Sequence, residues 1–282
     1  MQRSVGSVIG GTMAFLVLAS CSSSAPPVRT ACGTDDVAGA AGEGGADGWI
    51  SLFNGTDLTG WTPSPGAGEL FAAGVLDGEP VLHVYPTQVD QSTQPQATLR
   101  TNESYGSYVF HLEYKWGASR YSERKQTARD SGICFHLCND LDQVWPDSFE
   151  LQIGSSPLGQ DWITGDIFVL GPTRADWKYM TTKDLHVPSE KCAQTSLGQG
   201  ATDNRGRVAQ QLDKGDDWNI IELAVHGATD AVYTVNGTVL NRLYNFECNT
   251  GGSWAPAERG PIAVQAEFAE LYFRNIKIKI LP

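Results

Sequence analysis

The sequence predicts an all-β domain, a sandwich or jelly roll of antiparallel strands, and three observations support this. Short runs of β-branched and aromatic residues recur between clusters of Gly, Pro, Asn and Asp. A helical periodicity of apolar residues is missing from every long stretch of the domain. The segment Val235-Asn236-Gly237-Thr238-Val239 is typical of a β-hairpin, because Asn and Gly tolerate the positive φ that its turn requires.

The apolar runs predict strands that are interrupted by two long polar stretches. The predicted strands are Trp49–Phe53, Val75–Val84, Tyr108–Trp116, Gly132–Leu137, Ser148–Ile153, Gly165–Leu170, Trp218–His226, Ala231–Val235, Pro261–Phe268 and Leu271–Ile280. The polar stretches are Gly117–Asp130 and Pro172–Asp217. Loops of this length tend to be functional or disordered, and the second is either a lid over a site or an insertion.

The N-terminal residues predict export and lipidation. Arg3 precedes an apolar run, Val8–Leu18, and the small residues Ala19 and Ser20 follow directly before Cys21. This pattern resembles the lipobox of bacterial lipoproteins, in which the cysteine is acylated. The alternative is an ordinary secretory signal in which Cys21 is incidental. We therefore expect a signal peptide at residues 1–20 and a protein of the cell envelope, lipid-anchored to a bacterial membrane on its extracytoplasmic side.

The composition after Cys21 divides the rest of the chain into a tether and one domain. Residues 21–48 are rich in Ser, Ala, Gly, Pro, Thr and Asp, so they cannot bury enough apolar surface to offset the entropy of ordering. Residues 49–282 are of ordinary size for one β-sandwich. The formal net charge is −12 and no basic stripe is present, so nucleic acid is an unlikely partner.

The cysteines predict disulfides more strongly than a metal site. The chain has six cysteines: Cys21, Cys32, Cys134, Cys138, Cys192 and Cys248. We expect Cys32 to be unpaired and the last four to form two disulfides, because an exported location permits disulfides. A zinc site at Cys134, Cys138 and His136 is the weaker alternative, since no second pair of ligands follows.

Alternation along four predicted strands places polar residues on one face. If these strands share a sheet, the face is a polar groove rather than a core; its residues are Glu113, Lys115, His136, Glu150, Gln152, Gln265 and Glu267. Aromatic residues beside carboxylates and amides suit sugars, so we expect Glu113, Gln152, Gln265, Trp145 and Trp162 to bind a carbohydrate. The alternative is an ordinary solvent-exposed face of an antiparallel sheet.

Seven motifs follow one another from about Trp49 to the C-terminus. They are Leu52-Phe53-Asn54-Gly55-Thr56-Asp57-Leu58-Thr59-Gly60-Trp61, Asp130-Ser131-Gly132-Ile133, Phe149-Glu150-Leu151-Gln152-Ile153, Thr164-Gly165-Asp166-Ile167-Phe168, Trp218-Asn219, the Asn236-Gly237 turn and Phe273-Arg274-Asn275-Ile276-Lys277-Ile278. Together they resemble the 3-keto-disaccharide hydrolase domain family. The resemblance implies a concanavalin A-like jelly roll of two curved antiparallel sheets. It also implies action on glycosides that carry a ketone at ring carbon 3. The chain departs from the family pattern at Asp130, His136 and Ala266-Glu267.

The residues favour elimination over ordinary glycoside hydrolysis. Jelly-roll glucanases typically carry Glu-x-Asp-x-x-Glu on one strand. In the corresponding segment from Glu150, Gln152 replaces the Asp and Ser155 replaces the second Glu. In a 3-keto sugar, one base can remove the proton at carbon 2, and the resulting enolate can expel the aglycone. We expect Glu150 to be this base, with Glu267 or His136 as alternatives.

The remaining expectations concern the enolate oxygen, cofactors and rival functions. Lys115 and Arg274 are the candidate partners of the oxygen, and Arg274 is expected to reach past the sheet edge toward the groove. No cofactor is expected; a divalent ion held by Glu113, His136, Glu150 or Glu267 is possible but not favoured. The alternatives to the enzyme are a non-catalytic carbohydrate-binding module and an endo-glucanase.

Overall fold

The computed structural model describes residues 48–157, 160–178, 195–208 and 210–282. The predicted signal peptide, Cys21, almost the whole predicted tether, Cys32 and Cys192 therefore lie outside the described residues. Within the described ranges, no helix is long and apolar enough to cross a membrane.

The described residues form eighteen strands and two short 3-10 helices. The strands are β1 (Trp49–Ser51), β2 (Trp61–Pro63), β3 (Phe71–Leu76), β4 (Glu79–Val84), β5 (Ala97–Thr101), β6 (Ser107–Arg120), β7 (Asp130–Asn139), β8 (Asp147–Gly154), β9 (Ile167–Leu170), β10 (Thr173–Lys178), β11 (Thr195–Gly198), β12 (Arg205–Gly206), β13 (Asn219–His226), β14 (Asp230–Val235), β15 (Thr238–Thr250), β16 (Ser253–Pro256), β17 (Ile262–Ala266) and β18 (Ala269–Ile280). The 3-10 helices are Gly68–Leu70 and Ser122–Arg124.

The strands form two antiparallel sheets. The large sheet has the order β11-β10-β15-β14-β13-β6-β18-β4-β3, with β1 paired to β18 and β16 paired to β15. The small sheet has the order β12-β9-β8-β7-β17-β5-β2. The all-β prediction and the concanavalin A-like sandwich of two antiparallel sheets are therefore confirmed.

The core lies between the two sheets and follows the alternation of the sequence. On β6 of the large sheet, Tyr108, Phe110, Leu112 and Tyr114 are all fully buried. On β8 of the small sheet, the same holds for Phe149, Leu151 and Ile153. A period of two sends each set to one face, so the opposite face of each sheet is free to carry polar residues. The predicted Asn236-Gly237 turn is also confirmed, since both residues have positive φ and join β14 to β15.

Several predicted boundaries are wrong. The stretch predicted as one strand, Val75–Val84, is a hairpin of β3 and β4 that turns at Asp77 and Gly78, where φ is 55° and 84°. The described part of the polar stretch Pro172–Asp217 contains β10, β11 and β12. The sequence prediction also missed β2, β5, β16 and the part of β15 beyond Val239, where the predicted hairpin ends.

The prediction that four polar-faced strands share one sheet is wrong for β6. Strands β7, β8 and β17 are neighbours in the small sheet, but β6 lies between β13 and β18 in the large sheet. Glu113 and Lys115 alternate with the core residues of β6, so they lie on the outer face of the large sheet. Hydrophobic alternation gives the face of a strand but not its sheet, because pairing is decided by contacts distant in sequence.

A bulge in β7 overturns the prediction for His136. The register of β7 against β8 shifts between Phe135 and Asn139, and His136 has a φ of 49°. Its ring is fully buried in the core, 5.9 Å from the ring of Tyr108 and 6.2 Å from that of Phe246. His136 Nδ1 lies 2.7 Å from the carbonyl oxygen of Ala257. The bulge thus moves His136 from the polar face to the core.

A second bulge overturns the prediction for Arg274. The register of β18 against β6 shifts between Arg274 and Lys277, and Asn275 has a φ of 51°. Arg274 therefore lies on the outer face of the large sheet instead of reaching past its edge. There its Nε donates to Oε2 of Glu113 at 2.7 Å, and its guanidinium stacks 3.9 Å from the ring centroid of Trp218.

One disulfide joins the two sheets. Cys138 of β7 is bonded to Cys248 of β15. Cys134 is a free, buried thiol, so the prediction that it is one of four cysteines in two disulfides is wrong. The alternative zinc site is also contradicted, because Cys138 is disulfide-bonded and the His136 ring is in the core.

Candidate active site

The outer face of the small sheet, which we call the site face, carries polar side chains that are almost fully buried. Glu150 and Gln152 on β8 are 5% and 3% exposed, and Gln265 on β17 is 1% exposed. An ordinary solvent-facing sheet would leave such residues accessible. The burial therefore argues against the alternative of a plain wet face and indicates an enclosed polar site.

Gly132 of β7 provides room for two of these side chains. A Cβ atom at this position would lie 2.2 Å from Glu150 Oε1 and 2.4 Å from Gln265 Oε1. Both oxygens consequently lie directly above the Gly132 backbone, and any larger residue would displace them. A glycine inside a strand often marks such a close approach.

Asp130 is the most heavily bonded carboxylate of the site. Gln152 Nε2 donates to Asp130 Oδ1 at 2.6 Å and also to the carbonyl oxygen of Ser131 at 2.6 Å. The guanidinium of Arg124 pairs with Asp130 Oδ2 and stacks 4.0 Å from the ring centroid of Trp162. Two oriented donors and an aromatic ring therefore hold Asp130 and Arg124 in one arrangement.

Glu267 completes a cluster of three carboxyl groups. It follows β17 directly, shares a hydrogen bond with Asp130 and interacts electrostatically with Glu150. Unlike Asp130 and Glu150, it is partly exposed. The three groups come from β7, β8 and the end of β17, which are adjacent in the small sheet.

The cluster shifts the protonation of all three carboxyl groups in one direction. Burial raises the pKa of Asp130 to about 6, although the Arg124 charge opposes the shift. Burial and the nearby charge of Asp130 raise the pKa of Glu150 to about 8. Burial, followed by the charges of Asp130 and Glu150, raises the pKa of Glu267 well above its usual range. Near neutral pH the cluster thus holds both ionised and protonated carboxyl groups.

Two buried atoms of the site, Arg124 Nε and Gln265 Oε1, have no hydrogen-bond partner in the described part of the chain. Gln265 Nε2 donates weakly to Cys134 Sγ at 3.3 Å, whereas Gln265 Oε1 is buried without a donor. A protonated Glu150 could donate to it, since both oxygens lie above Gly132. Buried polar atoms are normally satisfied, so this oxygen also marks a place where a bound hydroxyl group would fit.

The structure brings together only part of the predicted site. Glu150, Gln152, Gln265 and Glu267 lie in the cluster. Glu113, Lys115 and Arg274 lie on the large sheet, where Lys115 Nζ is 3.2 Å from Asp77 Oδ2. His136 is in the core.

The two predicted sugar-stacking tryptophans have different surroundings. The ring of Trp162 faces the Arg124 guanidinium, so it positions a charged side chain of the cluster. Trp145 is partly exposed in the turn between β7 and β8. Its sugar-binding role stays a prediction.

The proposed metal ligands are not brought together. Glu113 lies on the large sheet and His136 Nδ1 contacts a backbone carbonyl in the core, so they cannot join Glu150 and Glu267 around one ion. Among the residues that the structure describes, no group of three or more His, Cys, Asp and Glu is arranged to hold a metal ion. Independence from cofactors stays a prediction.

Sequence reasoning missed Asp130 and Arg124 as site residues. Asp130 begins the Asp-Ser-Gly motif, and Arg124 belongs to the polar stretch Gly117–Asp130. Gly132, two residues after Asp130 and therefore on the same face, was the available signal, because it indicates that other groups approach the strand closely.

The fold and the carboxyl cluster define the class of this protein. The protein is a concanavalin A-like sandwich with a carboxyl cluster on the outer face of one sheet. Residues 48–279 match the model of the 3-keto-alpha-glucoside-1,2-lyase-like domain, and the chain belongs to this family. The resemblance drawn from the motifs is thereby confirmed. A search of curated proteins finds no match.

Several solved structures are distantly similar. A candidate glycosyl hydrolase from Parabacteroides distasonis is 19% identical, with 84% of this chain and 95% of that chain covered and a TM-score of 0.48. The carbohydrate-binding module CBM66 from Bacillus subtilis is 8% identical, with 78% and 95% covered and a TM-score of 0.40. The Crh5 transglycosylase is 11% identical, with 84% and 86% covered and a TM-score of 0.44. These likenesses are too distant to bear on activity.

Proposed function

We propose that this protein cleaves glycosides whose sugar carries a ketone at carbon 3, by removal of the carbon 2 proton, elimination of the aglycone and later addition of water. Family membership supports action on a 3-keto-glucoside. The observation that carries the chemistry is the cluster of Asp130, Glu150 and Glu267, whose pKa values are raised to different extents. Carboxyl groups whose pKa values differ can serve as base and acid in one site.

Glu150 is the proposed base. Burial raises its pKa to about 8, which makes its carboxylate a stronger base than an ordinary glutamate. The carboxylate takes the proton from carbon 2, and the electrons of that C–H bond form an enolate with the ketone oxygen. The enolate then expels the aglycone oxygen from carbon 1 and leaves a carbon–carbon double bond, to which water adds afterwards.

Glu267 is the proposed acid. Its pKa is raised well above the usual range, so it keeps its proton near neutral pH and can give it to the departing oxygen. Its partial exposure allows it to regain a proton from solvent. Asp130, fixed by Arg124 and Gln152, would maintain the negative charge that keeps the proton on Glu267. Lys115 and Arg274, which lie on the other sheet, take no part in this proposal.

The test compares one disaccharide in its oxidised and unoxidised forms. Wild-type protein should release the aglycone only from the 3-keto form. Glu150→Gln keeps the shape of the side chain but removes the proton acceptor, so turnover should fall by roughly a hundred- to ten-thousandfold. Exchange of the carbon 2 hydrogen with deuterated solvent should fall with it.

Other results would select other functions. Loss of cleavage with exchange intact would make Glu150 the acid instead of the base. Saturable binding of glycans without turnover would indicate a carbohydrate-binding module, and turnover of unoxidised β-glucan would indicate an endo-glucanase.

We also propose that the protein acts outside the cytoplasm, tethered by a lipid on Cys21. The lipobox-like residues before Cys21 support this, and the inter-sheet disulfide is compatible with an oxidising compartment. Cys21→Ala should move the protein from the membrane fraction to the soluble exported fraction. A variant that stays in the membrane fraction would contradict lipidation at this residue.

A further inference from the structure

The site face has an apolar half that the proposed chemistry does not use. Cys134, Leu137 and Ala263 form a small buried cluster that is separate from the core between the sheets. Leu141 and Leu170 pack against this cluster and are partly exposed. Leu137 joins it instead of the core because of the bulge at His136, which reverses the faces of the two residues.

The strand register places this apolar half directly beside the proposed base. Glu150 pairs with Cys134 on one side and with Phe168 of β9 on the other. Phe168 and Leu170 alternate with buried core residues of β9, so both lie on the site face, and both are partly exposed. A molecule bound at Glu150 can therefore contact them.

The opposite side of Glu150 is polar. Two residues further along β8, Gln152 donates a hydrogen bond to Asp130, and Gln265 Oε1 lies above Gly132 with no partner among the described residues. Glu150 consequently lies at the boundary between hydrogen-bonding groups on one side and hydrocarbon on the other. A glycoside has the same division when its sugar is attached to a hydrophobic group.

Among the described residues, the polar groups nearest the apolar half already have partners within the protein. Arg100 Nε donates to the carbonyl oxygen of Leu141 at 3.2 Å, and the Arg100 guanidinium pairs with Asp142. Arg205, whose guanidinium lies 5.1 Å from the Phe168 ring, is 7% exposed and pairs with Asp161 and Asp166. The Ser148 hydroxyl is buried and donates to the carbonyl oxygen of Pro146 at 2.8 Å. A hydroxyl-rich leaving group would find few free partners here and would lose hydrogen bonds to water.

We propose that the leaving group is an apolar aglycone, aromatic or alicyclic, which packs on Phe168, Leu170 and Leu141 while the oxidised sugar occupies the polar side. This inference rests on the proposed function and specifies its substrate class. The aglycone is assigned to the apolar half because that half adjoins the proposed base through the pairing of Glu150 with Phe168.

The experiment compares two leaving groups of the same shape. In one 3-keto-glucoside the aglycone is cyclohexylmethanol; in the other it is glucose attached through its own O6, which is also a primary alcohol on a six-membered ring. Each buried methylene contributes roughly a fourfold gain in affinity, so kcat/KM should be at least about tenfold higher for the cyclohexylmethyl compound. Equal values, or a preference for the sugar leaving group, would overturn the inference while leaving the proposed function intact.

A binding measurement separates this inference from catalysis. The unoxidised forms of the two glycosides should bind with the same preference in calorimetry, whether or not any 3-keto form is turned over. Leu170→Gln should reduce the preference for the apolar aglycone by roughly tenfold, since it places an amide against the hydrocarbon. Ile220→Gln, a matched change at a partly exposed residue of β13 in the large sheet, should leave the preference unchanged. An unchanged preference in Leu170→Gln would also contradict the proposal.

Discussion

Gln152 Nε2 lies 2.6 Å from Asp130 Oδ1, and this hydrogen bond fixes one oxygen of a carboxylate whose other oxygen faces Arg124. Asp130 is 2% exposed, so its charge acts on its neighbours through little water. After burial, the negative charge of Asp130 is the next largest cause that raises the pKa of Glu150 and of Glu267. The position of one carboxylate therefore influences the protonation of the other two.

Replacing this charge should lower the pKa of Glu150. Asp130→Asn preserves the size of the side chain but removes the negative charge that disfavours ionisation of Glu150. The apparent pKa in the pH dependence of kcat/KM should shift to lower pH. An unchanged or higher pKa would show that burial alone sets the value.

The pH dependence of wild-type turnover distinguishes a base from an acid at Glu150. A base acts when ionised, so kcat/KM should rise with pH and level off near the pKa of about 8. If Glu150 were the acid, kcat/KM would instead fall through the same pH range. The measurement requires a 3-keto-glycoside and buffers of constant ionic strength between pH 5.5 and 9.

Two stacked arginines provide a matched pair of substitutions. Arg124 stacks on Trp162 and pairs with Asp130 in the carboxyl cluster, whereas Arg274 stacks on Trp218 and pairs with Glu113 on the other sheet. Lysine cannot reproduce a planar stacked guanidinium. Arg124→Lys should therefore reduce kcat/KM by about tenfold or more, while Arg274→Lys should stay within about twofold of wild type.

Loss of activity in Arg274→Lys with normal activity in Arg124→Lys would support the sequence-based prediction that Arg274 contacts the enolate oxygen. Thermal unfolding of both variants serves as the control, because each substitution removes a comparable interaction. A loss of activity that follows the loss of stability in both variants would count against a specific role for Arg124.

Stability should fall as the pH rises through the pKa range of the cluster. In the folded state the pKa of Glu150 is raised from its ordinary value of 4.5 to about 8, so the folded state retains a proton that the unfolded chain releases. The stabilisation is complete below about pH 4.5 and is lost progressively up to about pH 8, by at most about 1.4 kcal/mol per pH unit for one group.

Glu150→Gln should weaken this dependence. Melting temperatures of wild type and variant should converge toward pH 5, and the variant should be relatively more stable at pH 8. Glu270 does not interfere, because its hydrogen bond with His83 lowers its pKa to about 2 and its effect appears only below about pH 4.5. Parallel curves of melting temperature against pH for the two proteins would contradict a raised pKa of Glu150.

Alternation predicted the parts of this fold that depend on local pattern. The alternation within one strand predicts which side chains of β6 and of β8 share a face. For the same reason it placed Glu150, Gln152 and Gln265 on a polar face. Alternation did not predict which sheet contains β6, because β6 pairs with β13 and β18, which lie far away in sequence. No local property of β6 distinguishes one sheet from the other.

Bulges account for the other errors in the site. One extra residue in β18 at Asn275 reverses the face of the residues beyond it. Between Phe135 and Asn139, β7 has two more residues than β8, and His136 lies in the core instead of on the site face. His136 and Asn275 both have positive φ, which histidine and asparagine tolerate better than most residues. Neither position is a glycine, which would have indicated a possible bulge. Strict alternation therefore predicts the wrong face for His136 and Arg274. The groove residues Asp130 and Arg124 were missed because a loop folds back onto the strand.

The disulfide between Cys138 and Cys248 also limits how the protein can open. It fastens β7 to the opposing sheet near one end of the strand, whereas Asp130 lies at the other end, about 26 Å away for an extended chain. The sheets cannot separate or slide at the fastened end without breaking a covalent bond. Separation of the sheets is therefore possible only toward the other end of β7, near Asp130 and Arg124, and access to the site face, which lies outside the sandwich, does not depend on it.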